Sequence, residues 1–245
     1  MTIRIFRYLV VPVVVGSFAV SAHAVGNGLY LGIMGGPATN SGGTQQAVVQ
    51  QDYSLPAGPG LPLPSPTFTP VTPKSTQFAT RAYLGYQFSR IAAFELGFQF
   101  YSTIKYDAKH VATLGDPTVR VRDVDLLFKG IIPFRDWFDV FAKAGIGYTY
   151  VTTGSAFNPS IQNTPANTTT GQPATSTIVT RNEYITKVSP IISIGADYNI
   201  NQNWVADITY TNMQVGNKVN SVSNISIGFS YHFVDKYCGQ FLCDD

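Results

Sequence analysis

Along this chain apolar and polar residues alternate with period two in eight segments: 28–36, 76–88, 92–104, 118–132, 137–151, 183–198, 204–214 and 222–233. That period marks strands with two unlike faces, and no stretch shows the 3.6-residue period of an amphipathic helix. In 92–104, Phe94, Leu96, Phe98 and Phe100 point one way, and Glu95, Gly97, Gln99 and Tyr101 the other. In 76–88, Phe78, Ala82, Leu84, Tyr86 and Phe88 oppose Gln77, Arg81, Tyr83, Gly85 and Gln87. The later segments divide alike, setting Val140, Ile146, Ile192, Ile194, Ile227 and Phe229 against Lys143, Gly147, Ser193, Asp197, Ser226 and Gly228. Connections alternate in length. Ser89-Arg90-Ile91, residues 133–136 and residues 199–203 are short; 37–75, 105–117 and 152–182 are long, and 215–221 is modest. The pattern predicts an all-β fold, a closed eight-stranded antiparallel up-and-down β-barrel with tight turns at one end and long loops at the other.

Alternation alone does not say which face is inside, because a soluble barrel with an apolar interior has the same period. Three observations decide for a transmembrane barrel. The uncharged face carries too many aromatic and branched side chains for the interior of eight strands, which side chains only just fill. Glycines gather on the charged face, at Gly32, Gly85, Gly97, Gly145, Gly147, Gly195 and Gly228, where they suit a crowded lumen. Phe88, Phe94, Trp137, Phe138, Tyr198 and Trp204 flank the short turns, as a membrane-interface belt does. Two exceptions on the outward face, Pro190 about eight residues above Tyr198 and Arg122 about ten above Ile132, fall at or near the outer rim of a tilted strand.

The N-terminus agrees with this compartment. Arg4 and Arg7 precede an apolar run, Leu9 to Val20, and Ala22-His23-Ala24 offers a small-x-small cleavage site. Residues 1–24 are therefore expected to be a signal peptide, 25–233 the barrel and 234–245 a short periplasmic tail. Charged residues make up 12% of the chain, about half the soluble average. The net charge of +2 gives no electrostatic case for nucleic acid. Interdomain linkers are a poor reading of the long loops, because the single hairpins they would separate could not bury a core alone.

The inward face carries charges of both signs: Arg81, Lys129, Lys143 and Lys187 with Glu95, Asp123, Asp125, Asp139, Asp197 and Asp207. Buried charges must be paired, hydrated or neutralised. Eight strands leave little lumen, so this set is expected to form a salt-bridged core that seals the barrel; a gated ion path lined by switchable pairs is the alternative. Cys238 and Cys243, both in the tail, are candidates for a small disulfide loop in an oxidising periplasm, with a free or metal-bound pair as the other option. His110 lies in a long loop beside Asp107, and His232 at the base of the last strand. No nucleophile, base and orienting acid fall together, so no enzyme, cofactor or metal site is expected. Asn167-Thr168-Thr169 matches a glycosylation sequon of secretory eukaryotic proteins and says little in this setting. Pro56, Pro59, Pro62, Pro64 and Pro66 make either an extended recognition segment or an exposed loop.

The chain resembles the small OmpA-like and OmpX-like eight-stranded outer-membrane barrels. The resemblance rests on the opening Gly28-Leu29-Tyr30-Leu31-Gly32, on Tyr86-Gln87-Phe88-Ser89-Arg90, and on the unit Tyr198 to Trp204. The closing Ile225-Ser226-Ile227-Gly228-Phe229-Ser230-Tyr231-His232-Phe233 completes it. It implies that Phe233, the aromatic ending the final strand, is read by the barrel-assembly machinery, although here a tail follows it. It also implies outer-membrane localisation among outer-membrane lipids. The expected role is structural or surface-interacting, in adhesion or envelope integrity, with a host or surface ligand met through loops 37–75 and 152–182. A narrow gated porin-like channel is the alternative, followed by a lipid-modifying membrane enzyme.

Overall fold

The computed structural model describes residues 28–50, 55–56, 65–74, 76–108, 112–167, 169–216 and 219–233. The expected signal peptide, His110, Thr168, Pro59, Pro62, Pro64 and the tail with Cys238 and Cys243 lie outside the described residues. In chain order the strands are β1 (Gly28–Asn40), β2 (Gln45–Val48), β3 (Leu55–Pro56), β4 (Phe68–Pro73), β5 (Gln77–Ser89), β6 (Ala92–Tyr101) and β7 (Ile104–Asp107). They continue as β8 (Thr118–Arg135), β9 (Phe138–Thr153), β10 (Pro159–Thr164), β11 (Thr175–Thr180), β12 (Glu183–Asn199), β13 (Trp204–Gly216) and β14 (Val219–His232).

Eight long strands, β1, β5, β6, β8, β9, β12, β13 and β14, close into the barrel, each one overlapping a segment expected from the alternation. Pairing is antiparallel throughout, in the order β8-β6-β5-β1-β14-β13-β12-β9, and a β8–β9 ladder completes the ring. No sheet edge is left along the wall, so every strand in the belt has ladder partners on both sides, as hydrocarbon requires. The expected outward residues are exposed: Phe94, Leu96, Phe98 and Phe100 on β6, Leu126 and Phe128 on β8, and Ile192 and Ile194 on β12. Their neighbours in sequence are buried in the lumen, except for the half-buried Gly195.

Two glycines show why small residues belong inside. Register puts Gly85 opposite Tyr30 and Gly32 opposite Tyr83. Each tyrosine ring lies in the space that a Cβ on the facing glycine would occupy. Each ring thus lies over the backbone of the adjacent strand, and the two centroids are 6.2 Å apart, edge to face. At the short-turn end an aromatic ring forms outside: Trp137 meets Tyr198 at 5.8 Å, Trp204 meets Tyr231 at 5.2 Å, and Tyr231 meets Phe233 at 5.1 Å.

The structure adds something at the other end. Above the apolar belt the strands continue, but the faces exchange chemistry. On β8, Val119 and Val121 point inward and Arg120 and Arg122 outward, whereas lower down Asp123 and Asp125 are inward and Leu126 and Phe128 outward. On β13, Met213 and Val215 are buried above Asp207 and Thr209. The molecule is turned inside out where it meets lipid, and has an apolar interior where it meets water.

The long connections are built into this upper part. β2 pairs with β4, β4 with β7, and β7 with β8, which extends the barrel wall upward. β10 and β11 form a hairpin, with β3 added to β11. A 3-10 turn, Ser155–Phe157, inserts Ala156 and Phe157 into the core.

Candidate functional site

The lumen holds polar layers closed from above by an apolar one. The central layer is a chain of ion pairs. Arg81 on β5 grips Asp125 on β8 with two bonds, Nε to Oδ2 at 2.9 Å and Nη2 to Oδ1 at 2.6 Å. Its Nη1 also donates to Glu95 Oε2 at 2.8 Å. β6 stands between β5 and β8, and Gly97 is the residue facing Asp125. A Cβ on Gly97 would stand 2.6 Å from Arg81 Nε. The missing side chain is the passage through which the guanidinium crosses a strand. Glu95 also accepts from Lys143 Nζ, 2.8 Å from Oε1, and from Tyr30 Oη at 3.1 Å. It is 0% exposed, with Arg81 at 5% and Lys143 at 2%. Ions this deep need such saturation of their hydrogen-bonding capacity.

Below this layer Lys129 Nζ pairs with Asp197 Oδ2 at 2.6 Å, and both lysines lie over the Phe141 ring, Lys129 at 4.3 Å and Lys143 at 4.7 Å. Phe141 is buried among the charges on the otherwise polar face of β9, and the alternation reading passed it over. Asp207 accepts from Tyr83 Oη at 3.2 Å and Thr209 Oγ1 at 3.0 Å. At the bottom His232 stacks on Tyr30 with centroids 4.6 Å apart. The mouth there, lined by residues including Lys129, Asp139, Asp197 and His232, opens into only about 20 Å³, room for about one or two waters.

The remaining candidates stand apart from the ion-pair chain. Asp139 is half-buried at the short-turn mouth and accepts from Asn199 Nδ2 at 3.1 Å. Asp123 is buried, but neither carboxylate oxygen has a hydrogen-bond partner. Lys187 requires a correction: it shares the inward register but is exposed, its ammonium lying over Gly216. β12 rises above the polar lumen, so an inward position at that height no longer borders the charged layers. Asp107 is exposed in the upper structure; Phe233 is exposed at the short-turn end, its N–H donating to Leu29 O at 2.9 Å. Among the described residues no three metal-ligating side chains come together.

Above the ions, Gln99 Nε2 donates to Tyr101 Oη at 2.6 Å and to Asn224 Oδ1 at 3.2 Å, joining β6 to β14 across the lumen. The apolar layer follows. Val119, Val121, Val151, Ile191, Met213 and Val222 from the barrel pack with Ala47, Val71, Ile104, Ala156 and Phe157 from the connections. Tyr106 meets Phe157 edge to face at 5.2 Å, and burial there pushes its phenol up to about 12. A smaller cluster of Val48, Leu114 and Ile178 joins the first three long connections. Backbone bonds reinforce it, as from Leu114 N–H to Val48 O at 2.7 Å. This cap is the element that the sequence reading missed. Its signal was present in the face exchange along β8, where Arg122 stands outward as an exception.

Comparison with known proteins adds the family. The OmpA-like transmembrane domain family matches residues 25–237. An uncharacterised protein of Coxiella burnetii (strain RSA 493 / Nine Mile phase I) is 25% identical over 186 residues, covering 66% of this chain and 71% of its own. Among solved structures, Neisserial surface protein A has 12% identity and a TM-score of 0.49, covering 84% of this chain and 98% of its own. The outer membrane protein OprG from Pseudomonas aeruginosa has 12% identity and a TM-score of 0.44, with 86% and 98% covered. With the match running through all eight wall strands, the chain belongs to the OmpA-like transmembrane domain family and is an outer-membrane β-barrel.

Proposed function

We propose that this protein is a sealed barrel that serves as a rigid platform for a surface-interacting extracellular cap. The observation that carries the reading is the double closure of the lumen. Ion pairs cross it within the membrane belt, and an apolar core built jointly from wall strands and long connections covers it above. An ion entering from outside would meet Val119, Val121, Ile191 and Met213 before any charge, and stripping its hydration there is costly. The charged residues act as a structural core. The exposed part of the cap includes the β10–β11 hairpin, whose residues 155–180 contain no ionisable side chain. Polar, uncharged and rigidly mounted, it suits contact with another surface. No catalytic role is proposed for any residue.

Planar-bilayer recording tests the seal: the refolded protein is expected to give no reproducible unitary conductance. Steady openings that disappear in Lys143→Gln or Asp125→Asn would establish a pore and overturn the reading. The surface role is tested by replacing residues 160–179 with a short turn. Cells displaying the variant are expected to lose attachment to a matrix-coated surface while the barrel still inserts; unchanged attachment would remove the hairpin from the proposal. Deleting residues 41–74 is a poorer test, because Ala47, Val48 and Val71 are fully buried and their loss would dismantle the cap.

A further inference from the structure

Two arginines stand outward at the upper edge of the apolar belt. Arg120 and Arg122 are exposed on the face of β8 that carries Leu126 and Phe128 lower down. No carboxylate among the described residues forms an ion pair with either. Register places Arg122 between Phe100 on β6 and Tyr150 on β9, and Arg120 beside Thr152. Tyr148 and Tyr150, 5.1 Å apart, mark the level of the lipid interface beside them. A guanidinium at that height either bends toward water or meets an anion, and its planar fork matches phosphate with two parallel bonds. Two residues apart on one strand, the pair spans about 6.6 Å.

The wall next to them is indented. A groove of about 510 Å³ is lined by residues including Ile33, Gly35, Phe78, Ala82, Phe100 and Ile227. Its floor is small, at Gly35, Thr80 and Ala82, between the larger side chains of Ile33, Phe78 and Phe100. Phe100, the cross-strand neighbour of Arg122, is one of its walls. The groove therefore begins beside the arginines and runs toward the middle of the belt, the path of an acyl chain hanging from an interfacial headgroup.

We infer that Arg120, Arg122 and this groove form a docking site for a phosphorylated glycolipid of the outer leaflet. The arginines hold a headgroup phosphate and the groove takes one acyl chain. The outer leaflet supplies this chemistry as lipid A, which carries phosphates above several saturated chains.

The test uses the full barrel in phosphatidylcholine vesicles containing bis-phosphorylated lipid A, dephosphorylated lipid A or phosphatidylglycerol. Lipid retained per protein after mild detergent extraction is measured by mass spectrometry, and the unboiled compact gel band verifies folding of each variant. The wild type is expected to retain bis-phosphorylated lipid A about tenfold over the dephosphorylated form, equivalent to about 1.4 kcal/mol. Arg120→Gln/Arg122→Gln should abolish that preference. Arg135→Gln/Lys187→Gln, which removes the same charge elsewhere, should keep it. Ala82→Leu, which fills the groove floor, should lower retention with the arginines intact. Equal retention of the two lipid A forms, equal enrichment of phosphatidylglycerol, an unaffected arginine variant, or an equal loss in the control pair would each overturn the site. Unchanged retention in Ala82→Leu would remove the groove from it, and that arm decides if the arginine variant does not fold.

Discussion

Replacing Glu95 by Gln tests whether the lumen is a dry core. The substitution keeps shape and removes one charge from a residue that is 0% exposed. Arg81 keeps its paired grip on Asp125, but Lys143 loses the one carboxylate among the described residues with which it forms an ion pair. Removing one partner of a buried pair costs about 3–5 kcal/mol, because a charge is left without compensation. The same pair in a water-filled lumen would be worth about 0–1 kcal/mol. With an m-value of about 2 kcal/mol/M in urea, the dry core predicts a fall in the unfolding midpoint of about 1.5–2.5 M. The assay is equilibrium urea titration of the barrel in lipid vesicles, with the folded fraction read from gel mobility without boiling. Glu95→Gln/Lys143→Met should be less unstable than the sum of its single variants, by about 1–3 kcal/mol. A midpoint within about 0.5 M of wild type, or strict additivity of the two changes, would show a hydrated lumen. The seal on which the proposed function rests would then be lost.

Phe98→Lys places an ammonium on the lipid-facing wall and should cost about 2–4 kcal/mol in the same titration; a loss under about 0.5 kcal/mol would mean that this face does not meet hydrocarbon. Met213→Ala should cost about 2–5 kcal/mol, because Met213 is fully buried in the upper apolar layer, and a neutral result would show that layer to be loosely packed. Gly85→Ala drives a methyl group into the Tyr30 ring and should cost about 1–3 kcal/mol, relieved by adding Tyr30→Leu; an unperturbed single variant would refute the close approach of ring and backbone.

The eight wall strands were legible because strand alternation is a local property and hydrocarbon imposes one rule at every outward position. Phe94, Leu96, Phe98 and Phe100, read as one face, are all exposed, and Glu95, Gly97, Gln99 and Tyr101 are all buried. The inward charges Arg81, Glu95, Asp125, Lys129, Lys143 and Asp197 were visible as a set; their partners were not. Arg81 reaches Asp125 across an intervening strand, and this depends on Gly97 standing between them in register. Lys187 had the right parity but the wrong height, which parity cannot report.

By itself, then, the sequence determined strand number, strand position and polarity within the membrane, since each follows from neighbours along one strand facing a uniform solvent. The tertiary structure decided which charges meet, where the polar lumen ends, and that the long connections fold into a cap. Those features rest on contacts between residues distant in the chain, such as Val48 with Ile178 and Tyr106 with Phe157. Only ring closure and register bring such residues together, and no local period encodes them.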